Sequence, residues 1–310
     1  TMSSVSSVQI SGGISCPLTA GQPSLALDDT VLETGSVLGV KFTGTLGFQT
    51  LVAQGCRPIF NKKSFVITEV MNGNIVTKLN NREALEVLTE LLVSSPEESK
   101  LIASGGLLCG IGTNNLQQQQ NDDDDDNVTN YYTDDDYLCR QIMGFVPESG
   151  GIAIGGSIQK GDRFIFQLRD KDAAEKDIEL MVQRAKTARM FSEKKGRPLA
   201  ALQISCVARG RGLFGIPNID ITQIQELMMK SATAPAPIAG FYANGEIGPV
   251  GLSGYATNSN KSSSLSSCHL HGFTTVATIL VEYTTSSNSS SINNDQLLDD
   301  TKFDQQDAWG

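Results

Sequence analysis

One stretch constrains this chain more than any other: Pro237-Ile238-Ala239-Gly240-Phe241-Tyr242-Ala243-Asn244-Gly245-Glu246-Ile247-Gly248-Pro249. Its first half is apolar and β-prone, and its second half sets a lone carboxylate among glycines where a strand has to turn. The pattern predicts a strand over 240–246 with Glu246 on a glycine-rich turn at its end, a position suited to receiving a ligand.

Two other stretches share this grammar. Ala201-Leu202-Gln203-Ile204-Ser205-Cys206 is an apolar run that stops at Val207-Ala208-Arg209-Gly210-Arg211-Gly212. Earlier, Thr50-Leu51-Val52-Ala53 runs into Gln54-Gly55-Cys56-Arg57-Pro58-Ile59. Each reads as a buried strand ending in a turn rich in Gly, Arg or Cys. Three such strand ends would converge on one polar pocket, the usual place for a ligand on a sheet.

With 310 residues the chain is long enough for one or two domains and a substantial core. The net charge of -10 is misleading, because Asp122 to Asp126 and Asp134 to Asp136 supply eight of the negative charges and the remaining body is almost neutral. No basic stripe speaks for nucleic acid. Six widely spaced cysteines without a CxxC pair suit reduced thiols in an intracellular compartment. No apolar run is long enough for a transmembrane segment. A soluble, intracellular protein is expected, with cytoplasm and plastid both open because a transit peptide could have been removed before Thr1.

Along the chain, strands are predicted over 8–14, 25–32, 37–42 and 48–53. A hairpin follows, 64–71 with 74–79, across Asn72-Gly73. Asn80 or Asn81 caps a helix over 82–92, with Leu85, Leu88, Leu91 and Leu92 on one face. Residues 112–136 form a low-complexity acidic insert that cannot pack. A second unit brings strands at 139–146, 151–154 and 163–168. Asp170 or Asp172 then caps a helix over 173–191 with Ile178, Met181, Val182 and Ala185 inward. A strand at 202–206, a helix at 221–229 and strands at 240–246 and 273–283 complete the order. This order predicts a layered α/β fold with mixed β-sheets. Ser-Gly-Gly-Ile occurs at Ser11 to Ile14 and again at Ser149 to Ile152. The recurrence fits pseudo-duplicated units, and equally a chance repeat of four low-complexity residues. The Ser/Asn-rich and acidic end, 284–310, reads as a flexible tail whose Leu297, Leu298, Phe303 and Trp309 could anchor a docking segment.

The chemistry is that of a binder. Cys206 beside Arg209 and Arg211 sits in an electropositive setting that would lower its thiol pKa, against the plainer reading of a buried structural cysteine. Cys268-His269-Leu270-His271 invites a metal, but no second ligand cluster exists at zinc spacing, and strand alternation puts Cys268 opposite the two histidines. Glu246 can accept from an ammonium or guanidinium group, unless it pairs with Arg209 or satisfies loop amides. Arg57, Arg209 and Asn74 would complete a site with both charges, suited to a zwitterion such as an amino acid. No Ser/His/Asp pattern, HExxH or GxxxxGK[ST] is present, so neither an enzyme nor a cofactor is expected.

Taken in order, these motifs resemble the FIST domain of bacterial sensory proteins and a eukaryotic F-box protein family. The resemblance runs from Gln54-Gly55-Cys56-Arg57-Pro58-Ile59 through Ile67-Thr68-Glu69-Val70-Met71-Asn72-Gly73-Asn74 and Leu168-Arg169-Asp170. It continues in Ser205-Cys206-Val207-Ala208-Arg209-Gly210, Gly240-Phe241-Tyr242-Ala243-Asn244-Gly245-Glu246 and His271-Gly272-Phe273-Thr274-Thr275. It implies a remnant of an N-terminal FIST unit over 1–50 and a C-terminal FIST-like domain over 51–283; no F-box is visible. It also implies a sensory or adaptor module that binds a small polar ligand or a protein partner. On the shared motifs the ligand-binding set is Gln54, Arg57, Asn74, Cys206, Arg209, Asn244, Glu246 and Thr274. The alternative is a structural scaffold that self-assembles, a homo-oligomer with a degenerate pocket.

Overall fold

The structure, a computed structural model, describes residues 9–16, 25–33, 35–42, 46–112, 137–192, 196–229, 236–253 and 268–283. The acidic insert, apart from Gly112, and the tail over 284–310 lie outside the described residues.

In chain order the strands and helices begin with β1 (Gly12–Gly13), β2 (Ala26–Leu27), β3 (Thr30–Val31), β4 (Leu46–Ala53) and β5 (Cys56–Pro58). There follow β6 (Ser64–Met71), β7 (Ile75–Leu79), β8 (Arg82–Glu83), α1 (Ala84–Ser94), α2 (Pro96–Gly105) and β9 (Leu107–Gly112). Next come β10 (Leu138–Val146), β11 (Gly151–Ile154), β12 (Arg163–Arg169), α3 (Lys171–Phe191), β13 (Gly196–Cys206), α4 (Arg211–Phe214) and α5 (Ile219–Gln225). The last are β14 (Ile238–Ala243), β15 (Glu246–Gly248), β16 (Leu252–Ser253), β17 (His269–His271) and β18 (Thr275–Tyr283). The fold is α/β with mixed sheets, as the element order predicts.

Two sheets dominate. In the first, β11, β10, β9, β12, β6 and β7 pair in that order, and β11 also pairs with β7, so six antiparallel strands close into a ring. Closure removes the edges that would otherwise be open to foreign strands. Phe65, Ile67, Val76, Leu79, Ile111, Ile152, Ile154, Phe164 and Phe166 fill its core, joined by Ala84, Val87 and Leu88 from α1. Phe164 and Phe166 meet edge to face at 4.8 Å, an arrangement their ring quadrupoles favour.

The second sheet has the order β14-β13-β18-β4-β16, with β13 and β14 parallel and the other neighbours antiparallel. Helix α3 covers it, burying Ala174, Ile178, Met181, Val182 and Ala185; the last four pack against Leu51, Ala53, Ala201, Ala277, Ile279 and Val281 of the sheet. Asp170 caps this helix as expected, its carboxylate accepting from the Ala173 N–H at 2.9 Å. The chain leaves this sheet at Ala53, builds the whole closed ring, and returns through α3 to β13.

Several local expectations are corrected. Asn80 and Asn81 do not cap α1: both take positive φ in a tight turn, Arg82 and Glu83 pair back onto β7, and the helix starts at Ala84. Residues 37–42 form no strand, and 25–32 reduce to the small β2–β3 hairpin, because Leu27, Val31, Val37, Leu38, Val40 and Phe42 stay exposed with no sheet to join. Helix α2, which the hydrophobic pattern does not announce, begins on Pro96 and carries Glu97 and Glu98 in its first turn, where the positive end of the helix dipole favours them.

Gly240 has no room for a side chain. A Cβ there would lie 1.8 Å from the carbonyl oxygen of Gln203, its ladder partner on β13. Gly240→Ala is therefore expected to cost roughly 1–3 kcal/mol by forcing the parallel pair apart, read as a lower urea midpoint with an unchanged slope.

Candidate functional site

The register of the second sheet brings the predicted turns to one end. Ala53, Thr275 and Ser205 lie in one row, and Cys206 opposes Ala243 in the next. Gln54, Thr274, Val207 and Asn244 are the first residues beyond these strand ends. The strand expected over 240–246 breaks: β14 stops at Ala243, Asn244 and Gly245 turn the chain with Gly245 at φ 134°, and Glu246 opens β15 in a different, three-stranded sheet. Glu246 therefore sits opposite His271 of β17 rather than on an open turn.

Glu246 is fully buried. One carboxyl oxygen accepts from the Thr274 hydroxyl at 2.8 Å and from its N–H at 3.3 Å, while the other, Oε1, has no partner. Burial pushes the carboxyl up to about 7, against the hydrogen bonds from Thr274, the Gly245 N–H and the field of Arg209, which act the other way. Its ladder partner His271 donates from Nε2 to the Gly248 carbonyl at 3.1 Å and leaves Nδ1 unpartnered. Burial brings this imidazole down to about 4, so it is neutral at pH 7. Opposed residues of an antiparallel pair project from the same face with Cβ atoms roughly 5 Å apart. Two buried acceptor atoms on opposed residues of one strand pair thus make no well-formed hydrogen bond, the Gly245 N–H reaching the Glu246 carboxyl only electrostatically.

Arg209 is also buried and is fully engaged. Its Nε and Nη2 reach Asp220 at 2.8 and 2.7 Å, Nη1 reaches the Phe273 carbonyl at 3.4 Å, and the guanidinium lies over the Phe214 ring at 5.3 Å. It pairs with Asp220, not with Glu246, and its charge is already matched. Arg57 is half-buried and bonds Asp170 at 2.8 Å. Gln54 donates its side-chain amide to the Tyr137 carbonyl at 2.8 Å and its backbone N–H to Asp177. Asn244 is exposed, and its N–H bonds the Ile14 carbonyl at 2.9 Å. Asn74 stands on the exposed β6–β7 turn, its carbonyl taken by the Ile154 N–H at 2.9 Å. Glu246, Thr274, Arg209 and Cys206 are thus brought together, with Gln54 at the adjoining turn, and Asn74 belongs to the ring.

Cys206 corrects an expectation. Burial and the neighbouring Glu246 raise its thiol pKa, outweighing Arg209, whose charge is spent on Asp220. It is a protonated thiol, and none of the six cysteines is in a disulfide. Cys56 behaves likewise: a hydrogen bond with Cys139 and then burial push it well up. Among the described residues no His/Cys/Asp/Glu group could hold a metal, and no helix is long and apolar enough to cross a membrane. Residues that pattern reading missed are Asp220, on a seven-residue helix without a cap signal, and Arg140, whose lone charge between the apolar Leu138 and Ile142 was the available clue.

Two outcomes follow. Asp220→Ala strands the Arg209 charge in the interior and is expected to cost about 3–5 kcal/mol in chemical denaturation. Glu246 binds its proton more tightly folded than unfolded, so its contribution to stability is largest below about pH 4.5 and is lost as pH rises towards 7. His271 acts oppositely, its contribution fading as pH falls from 6.5 towards 4. Glu246→Gln should therefore gain on the wild type progressively between pH 4.5 and 7, by up to roughly 3 kcal/mol, in thermal melts across that range.

Family comparisons agree with this architecture. The FIST N domain model matches residues 1–82 and the FIST C domain model residues 84–249. An uncharacterized protein of Mycobacterium tuberculosis is 34% identical over 242 residues, covering 78% of this chain and 56% of its own length. An uncharacterized protein of Mycobacterium bovis is 33% identical over 241 residues, covering 78% and 55%. The chain thus spans about half the length of these curated relatives. With both FIST models matched in sequence order and together covering most of its sheets, the chain belongs to the FIST family.

Proposed function

We propose that this chain is a non-enzymatic FIST-type sensory module that binds a small polar ligand, with an N–H-rich cationic group received at Glu246. FIST domains are associated with sensory, ligand-binding signalling. The observation that carries the reading is the pair of unpartnered acceptors, Glu246 Oε1 and His271 Nδ1, on opposed residues of one ladder. Buried polar atoms are nearly always satisfied, and one ammonium group has donors enough for both. Ionisation of Glu246 near neutral pH lets a cation supply the counter-charge that Arg209 withholds. In this reading Thr274 and Cys206 line the site, Arg209 and Gln54 fix the turns around it, and the working unit is 51–283 of an intracellular protein of cytoplasm or plastid.

The self-assembling scaffold keeps one specific support: Val31, Val37, Val40 and Phe42 are 68, 91, 79 and 52% exposed, more apolar surface than an isolated segment ordinarily shows. A panel of amino acids and simple amines in thermal-shift measurements, beside light scattering over a concentration series, separates the two. The sensor reading expects a small assembly stabilised by one amine, with the gain abolished by Glu246→Gln. Large assemblies indifferent to every amine would sink it.

A further inference from the structure

Among the described residues, Arg140 is a charge without a carboxylate partner. It lies on β10, half-buried, opposite Cys109 of β9. Its Nη1 donates to the Cys139 carbonyl at 3.0 Å, and among the described residues no carboxylate pairs with it. Arg57, Arg82, Arg197 and Arg209 each have one. Its stem runs against Gly156, where a Cβ would meet Nε at 3.0 Å and Cδ at 3.2 Å, so the glycine leaves the room that the side chain occupies. The titratable groups that feel Arg140 are the thiols of Cys109 and Cys139 on the ring and, across the seam where β10 approaches β17, His269 and His271. Cys109 supplies no anion at neutral pH, since burial drives its thiol far up, and burial holds both imidazoles down in pKa. A guanidinium taken from water with one neutral acceptor is costly to keep. Its remaining N–H donors match the fork of a carboxylate or phosphate.

We propose that Arg140 is an anion-binding site at the seam between the ring and the β15–β17 ladder, taking a small oxyanion, a carboxylate or phosphate group, through its uncommitted guanidinium donors. This goes beyond the Glu246 reading and stands on a different residue. An anion there would lie on the seam where β10 approaches β17, the strand of His269 and His271.

The chain has two histidines, His269 and His271, and both feel Arg140. Their ring-proton NMR titrations therefore report the site without overlap. Acetate and inorganic phosphate are the probes, at ionic strength held constant with chloride; neither carries an ammonium, so the outcome is independent of Glu246. Binding at Arg140 is expected to raise both histidine midpoints in a saturable way. Arg140→Met should raise them without any probe and weaken probe affinity at least about ten-fold. Arg140→Lys, which keeps the charge and loses the fork, should fall between. Arg140→Met should also melt no lower than the wild type, because the charge it removes has no partner. Histidine midpoints unmoved by both probes, or moved equally in Arg140→Met, would overturn the site. So would a destabilised Arg140→Met, which would mean that a carboxylate outside the described residues already pairs with this arginine.

Discussion

The Arg209–Asp220 pair holds together the end of the second sheet where the glycine-rich turns meet. Arg209 follows β13, Asp220 rides on α5, and the same guanidinium reaches the Phe273 carbonyl before β18 and lies against Phe214 of α4. Gly55 completes the joint, since a Cβ there would come within 2.5 Å of the Phe273 carbonyl and 3.0 Å of Arg209. Three chain segments distant in sequence, 209–220, the Gly55 turn and the Phe273 turn, are thereby fixed around one buried charge. An ion pair of this kind adds little net stability against a hydrophobic isostere, but breaking one side of it is severe. Its contribution here is geometric: it settles the turns so that Glu246 can be left without a cation.

That placement explains the electrostatics of the site. Were Arg209 free, Glu246 would ionise readily and Cys206 would tend towards thiolate. With the arginine committed to Asp220, burial dominates both groups, and the carboxyl and the thiol are each pushed up. The seam therefore presents neutral or titrating acceptors on the β15–β17 side and the unmatched Arg140 on the ring side. Complementary charges are distributed across the junction of two sheets rather than collected on one turn.

The fold was partly legible because its grammar is local. The Asn72-Gly73 hairpin, the 3.6-residue spacing of Ile178, Met181, Val182 and Ala185, and the Asp170 cap are each decided within a few residues. The β4 and β18 strands read as apolar runs for the same reason. Ring closure was not legible, since β11 pairing with β7 joins segments some 75 residues apart and leaves no mark on either strand. Nor was the exposure of Leu27, Val31, Val37, Val40 and Phe42, whose β-prone segments find no larger sheet to join.

For the site, the sequence determined which residue types occupy the strand ends: a carboxylate between glycines, arginines beside a cysteine, and a threonine after Gly272-Phe273. Those follow from turn chemistry, which needs only neighbours in the chain. Tertiary structure decided which charge answers which. It gave Arg209 to Asp220, Arg57 to Asp170, and Glu246 to Thr274, set Asn74 on the ring, and left Arg140 without a carboxylate among the described residues. Partnership between charges depends on distance and desolvation, and both are fixed only when the two sheets pack against each other.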